Sequence, residues 1–175
     1  MKNIGIKDIW GVFLFLLAIS LTFIIPTISL SINKPVDVPF LADTDAKNAL
    51  VFFGFPGCGD ICPTSLLTLR DVSFATSANH ISLAVVFVDI DRNSSSAQAD
   101  NYAKQFHPEF IGVKPSSTEM QQFNADFGLN FQQVGDKIEH RGRTYLLRKL
   151  EQQWYLVKSY NPGQFDSEMI EKELL

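Results

Sequence analysis

The sequence predicts an α/β fold, a central mixed sheet flanked by helices, preceded by one transmembrane helix. Three observations carry this reading. Apolar runs rich in Val and Phe, Ala49–Phe55 and Ile81–Ile90, have the character of strands buried on both faces. Stretches of helical spacing alternate with them, and alternation implies parallel strands joined by helical crossovers. A third, longer apolar run, Ile9–Leu30, carries no charge at all.

Taken in order, Ile9–Leu30 is 22 residues long, and as a helix would span roughly 33 Å, about a bilayer core. Lys2 and Lys7 precede it, which favours residues 1–8 in the cytoplasm and the following chain in the periplasm or its equivalent. A cleaved signal peptide would want a shorter apolar core and a small-x-small site, and Ile28–Ile32 shows no Ala-x-Ala. An uncleaved anchor is therefore the preferred reading. Residues 31–48, with Pro35, Pro39 and three aspartates, read as a linker in which Val36–Leu41 adds an edge strand. Residues 49–175 form the domain.

Ala49–Phe55 is the first core strand. Pro63 suits the first position of a helix, where a missing N–H costs nothing, and Leu66, Leu67, Leu69, Val72 and Phe74 give that helix an apolar side. Ile81–Ile90 is the second core strand, with Asp89 and Asp91 at its end. Ser95 and Gln98 have capping-box spacing and open a helix to Phe106. Its buried face is Ala99, Tyr102, Ala103 and Phe106, and His107-Pro108 stops it. Phe110–Val113 is a short strand. Ser116 and Glu119 form a second capping box before Met120, Phe123 and Phe127, and Gly128 ends that helix. Thr144–Lys149 and Trp154–Tyr160 form an antiparallel hairpin, and Pro162-Gly163 turns the chain into a last helix, Gln164–Leu174. The order β-α-β-α-β-α-β-β-α is that of a thioredoxin-like architecture.

The net charge of −4 and the lack of a basic patch argue against nucleic acid as a partner. With two cysteines the chain cannot be a disulfide-stapled scaffold. Both lie in the turn after the first core strand, as Cys58-Gly59-Asp60-Ile61-Cys62 before Pro63. Thiols at a helix N-terminus are biased toward thiolate, which serves either disulfide exchange or the binding of soft Cu(I). A bridge closing so short a loop removes little chain entropy, so a purely structural disulfide is the weaker reading. Two thiolates under-coordinate a metal, and the histidines are His80, His107 and His140. His80 reads as a solvated turn residue and His107 as a helix end. His140 lies in a loop before a strand, a place equally open to a solvated side chain and to a ligand. Asp89, at the carboxyl end of its strand, falls where functional groups gather in open α/β sheets, whereas Asp91 reads as part of an ordinary turn with Arg92 and Asn93.

Phe53-Gly54-Phe55-Pro56-Gly57-Cys58-Gly59-Asp60-Ile61-Cys62-Pro63-Thr64 resembles the signature of the SCO/SenC family of membrane-anchored, thioredoxin-like copper proteins. Val88-Asp89-Ile90-Asp91-Arg92 resembles the family's strand-end Val-Asp-Pro-Glu-Arg, and Glu139-His140 falls where the family has Asp-His before a strand. The resemblance spans roughly residues 49–160. It implies Cys58, Cys62 and His140 as copper ligands, with Asp89 as a supporting acid near the site. It also implies copper delivery to, or preparation of, the copper centre of cytochrome c oxidase, whose copper-receiving subunit, or another copper protein, would be the partner. Gly57 stands where many members have a histidine, the stretch before the first core strand is shortened, and Gly142-Arg143 reshapes the step after His140. These departures keep a second reading in view, a thiol–disulfide oxidoreductase using the Cys58/Cys62 pair to reduce partner cysteines.

Overall fold

The structure, a computed structural model, describes residues 32–135, 137–163 and 166–174, with Trp10, Phe15, Leu16 and Ser20. The rest of the run Ile9–Leu30 lies outside the described residues, and among those described no helix is long and apolar enough to cross a membrane. Contacts divide the chain into Met1–Ser31 and Ile32–Leu175.

The second unit is built on a six-stranded mixed sheet. Its strands are β1 (Lys34–Val36), β2 (Asn48–Gly54), β3 (Leu83–Asp89), β4 (Ile111–Val113), β7 (Thr144–Leu150) and β8 (Gln153–Tyr160), in the order β1-β8-β7-β2-β3-β4. β2, β3 and β4 run parallel, and β7, β8 and β1 continue antiparallel on the far side of β2. A separate antiparallel pair, β5 (Gln132–Val134) and β6 (Lys137–Glu139), was not signalled in the sequence. Each strand is three residues long with a single apolar residue, Val134 or Ile138, and mostly exposed, so the pair lacks the apolar alternation by which a strand announces itself.

β2 and β3 are buried on both faces because helices cover both. Ala49, Val51 and Phe53 join a core with Val86, Val88, Phe123 and Phe127 from α3 (Ser117–Phe127). Leu50, Phe52, Val85 and Phe87 join the opposite core with α1 (Ile61–Ala78), α2 (Ser96–Lys104) and α4 (Ser167–Leu174). Both capping boxes form: the Ser95 hydroxyl accepts the Gln98 amide, and the Ser116 hydroxyl accepts the Glu119 amide. The last helix is described from Ser167, and Gln164, its expected start, lies outside the described residues.

Two local expectations are corrected. α1 starts at Ile61, so Pro63 occupies its third position; any of the first turn's amides lacks a helical partner, which makes that position equally tolerant of proline. The buried stripe of α1 is Cys62, Ser65, Leu66, Leu69, Val72 and Thr76, while Leu67 and Phe74 are 41% and 56% exposed. Counting i, i+3, i+4 and i+7 from Cys62, rather than from Leu67, finds the stripe. In the residues before β2, the edge strand ends at Val36, and Pro39–Leu41 is a 3-10 turn with Leu41 fully buried.

Candidate metal centre

β2 delivers the chain to the carboxyl edge of the parallel strands, where the backbone turns before α1. The Cys58 amide donates to the Phe55 carbonyl at 3.1 Å, closing that turn. Cys62, inside the first turn of α1, is fully buried, and Cys58 is half-buried. Both thiols are free. Gly54 makes this packing possible, since a Cβ there would stand 2.7 Å from the Cys62 sulfur.

His140 arrives from the exit of β6. Its Nε2 lies 3.8 Å from Cys62 Sγ. Its Nδ1 accepts the Gly142 amide at 3.0 Å, so the proton of the neutral ring is assigned to Nε2, facing the sulfur. The Phe55 ring meets the imidazole edge to face, with centroids 5.6 Å apart. Gly142 holds its backbone at φ +57°, and a Cβ there would come within 2.4 Å of Ile61 Cγ2. The loop that carries His140 is thus fitted against the residue between the two thiols' helix entry and Cys62 itself. One donor atom each from Cys58, Cys62 and His140 lie within 4.8 Å of one another.

The electrostatics separate the two thiols. Burial acts to raise Cys58, but hydrogen bonds from the Cys62 backbone and side chain and from the Asp60 and Ile61 backbone outweigh it, and the thiol is lowered. Burial comes first for Cys62 too, and there the Cys58 thiol and the Asp89 charge add to it, so the thiol is pushed up strongly. Burial lowers His140, keeping the ring neutral and available as a ligand near neutral pH.

Asp89 pairs with Gly54 across the parallel ladder and is fully buried. Its Oδ1 accepts the Asp91 amide at 2.9 Å, and its carboxyl is raised by burial. Asp91 forms the turn expected of it, accepting the Asn93 amide at 3.0 Å. His107 packs against Phe74 and Phe110, and neither it nor His80 belongs to the thiol cluster. Three contributors were missed in the sequence: Phe55 against the imidazole, Gly142 behind it, and Gln133, described below. Gly142 carried the one available signal, a glycine two residues after a candidate ligand.

Two thiols and a neutral imidazole form a soft, three-donor set that suits a copper or zinc ion and leaves room for a further ligand.

A family model described as SCO1/SenC matches residues 41–174. A SCO2-like protein of Rickettsia conorii is 31% identical over 107 residues, which cover 57% of this chain and 52% of that protein. The chain spans about half the length of the first relatives it matches. Among solved structures, Arabidopsis thaliana ScoI with copper bound superposes with a TM-score of 0.64 at 23% identity, covering 73% of this chain and 81% of that one. BsSco, a member of the Sco family of cytochrome c oxidase assembly proteins in which a disulfide switch was identified, superposes with a TM-score of 0.64 at 18% identity, covering 84% and 95%. At these identities the two structures speak for the fold.

Proposed function

Because the chain belongs to the SCO1/SenC family, we propose that it is a membrane-anchored copper-binding protein that delivers copper to, or prepares, the copper centre of cytochrome c oxidase. Cys58, Cys62 and His140 hold the ion, and Asp89 supports the site from beneath. Residues 1–8 stay in the cytoplasm, 9–30 form the anchor, 31–48 lead away from it, and the thioredoxin-like domain works in the periplasm or an equivalent space. The copper-receiving oxidase subunit, or another copper protein, is the partner. The observation that carries this reading is the convergence of three soft donors, from two distant parts of the chain, within 4.8 Å. The copper bound to Arabidopsis ScoI supports the choice of ion.

The chain's own groups set the terms of loading. Cys58 is already biased toward thiolate, whereas Cys62 must lose a proton and the His140 proton must move from Nε2 to Nδ1, giving up the Gly142 contact. Copper affinity therefore rises with pH through the neutral range. The half-buried Cys58 is the donor that a partner's ligands reach first.

Metal analysis of the reduced chain tests this. The wild type should carry about one copper, Cys62→Ser should lose it, and His140→Ala should bind more weakly by at least the roughly 10- to 100-fold that loss of an outer-shell partner costs. Equal copper in wild type and Cys62→Ser would overturn the proposal.

A second reading has its own observation, the opposite shifts of the two thiols. The Cys58 thiolate would attack a partner disulfide and release one partner thiol. Cys62 would then displace the other, leaving a Cys58–Cys62 disulfide and a reduced partner. This chemistry needs both cysteines and not His140. Disulfide exchange in metal-free conditions by His140→Ala, at the wild-type rate, would favour it.

A further inference from the structure

We propose that Gln133 is the positioning residue for His140: it latches the β5–β6 hairpin to the loop after β3 and so holds the imidazole over Cys62. The inference rests on the copper-site reading for its purpose but on separate contacts for its geometry.

The hairpin stands apart from the main sheet. Among the described residues its strands pair only with each other, and the arm carrying them is bracketed by two left-handed residues, Asn130 at φ 49° and Gly142 at φ 57°. Phe131 and Ile138 give it a partly buried apolar footing on the core. An apolar footing is non-directional and does not by itself fix where a ring three or four ångströms across must stand. Hydrogen bonds do, and Gln133 supplies them at both ends of its amide. Its Nε2 donates to Asp91 Oδ1 at 3.0 Å, and its Oε1 accepts the Arg92 amide at 3.1 Å. A carboxamide, with a donor and an acceptor side by side, is the side chain that answers this pair of partners.

The latch lies close to the ligand along the ladder. Gln133 is paired with Ile138, two residues before His140. On the other side, Asp91 is two residues beyond Asp89, whose Oδ1 accepts the Asp91 amide. One continuous set of hydrogen bonds thus runs from the buried end of β3, through Asp91 and Gln133, to the hairpin that presents His140. The side-chain hydrogen bonds of Gln133 go to Asp91, Arg92 and Gly135 and to neither cysteine, so releasing it loosens the hairpin that carries the third donor and not the thiol loop. The arrangement sets the two thiols, in the turn after β2 and in the first turn of α1, apart from the imidazole carried by the hairpin.

The test uses the full chain with Gln133→Ala, Asp91→Asn and His140→Ala. In metal-free protein, Gln133→Ala should shift the His140 ring resonances in NMR spectra and speed amide exchange across residues 131–141 with the melting temperature unchanged. Asp91→Asn keeps the Oδ1 acceptor and should leave both readings near wild type. With Cu(I) and the thiols kept reduced, Gln133→Ala should weaken binding about tenfold, and this loss should vanish in the His140→Ala background. Unchanged ring resonances and hairpin exchange in Gln133→Ala would overturn the latch, as would the same loss of affinity with and without His140. A wild type that bound no copper would overturn the function proposed above, while the metal-free readings would still decide the latch.

Discussion

Asp89 carries a fully buried carboxylate whose Oδ2 has no hydrogen-bond partner among the described residues. Burial raises it from the ordinary value of 3.8. Above 3.8 the unfolded chain releases a proton that the folded chain keeps, so this group lowers stability as pH rises toward its folded value. Asp89→Asn removes that slope. Urea denaturation across pH 4 to 8 should show the variant gaining on the wild type as pH rises, then holding a constant lead; a lead that grows toward acid would contradict the assignment. Gly142 acts through shape. Gly142→Ala forces a methyl group against Ile61 in a backbone region that alanine avoids, at a cost of about 1–3 kcal/mol. It should also weaken copper binding about tenfold, since the loop that carries His140 is fitted against Ile61 there. Isothermal titration of the two proteins checks this.

At the scale of elements, α1 gives the sharpest contrast. Leu69→Ala empties a fully buried position and should cost about 2–5 kcal/mol in chemical denaturation, whereas Leu67→Ala should stay within about 0.5 kcal/mol. Reversed sizes would mean that the helix is rotated from the orientation described. The same helix shows how far the sequence could be read. The apolar runs of β2 and β3 and the two capping boxes were legible because each is a short-range signal: a buried strand needs its own Val and Phe, and a cap needs residues three apart. The rotation of α1 was not, because Cys62, Ser65 and Thr76 lie on the buried face without being markedly apolar. The β5–β6 hairpin was invisible for a related reason, having only Phe131 and Ile138 as apolar footing and being otherwise held by Gln133 and a short ladder. The thiol pair was plain in the sequence. His140 was left open by its residues alone and pointed to only by the family resemblance, because what brings it to the thiols is a pairing of segments 78 residues apart.

For the molecule as a whole, the ion and the fold are coupled. Copper that binds only the assembled three-donor site stabilises it by about 2.7 kcal/mol at one hundred times the dissociation constant. Calorimetry should then show a rise of roughly 5–10 °C in melting temperature. Cys62→Ser should show none. The two ends of the main sheet have a different consequence. β1 and β4 are each three residues long; Pro35 sits within the first, and Pro108 and Pro115 flank the second. Such edges offer little backbone for another chain to zip onto, which guards a protein rich in buried Val and Phe against edge-to-edge aggregation. They also narrow the ways in which it can be recognised. A partner would gain little by adding a strand to this sheet, which turns recognition toward loops and helix surfaces instead.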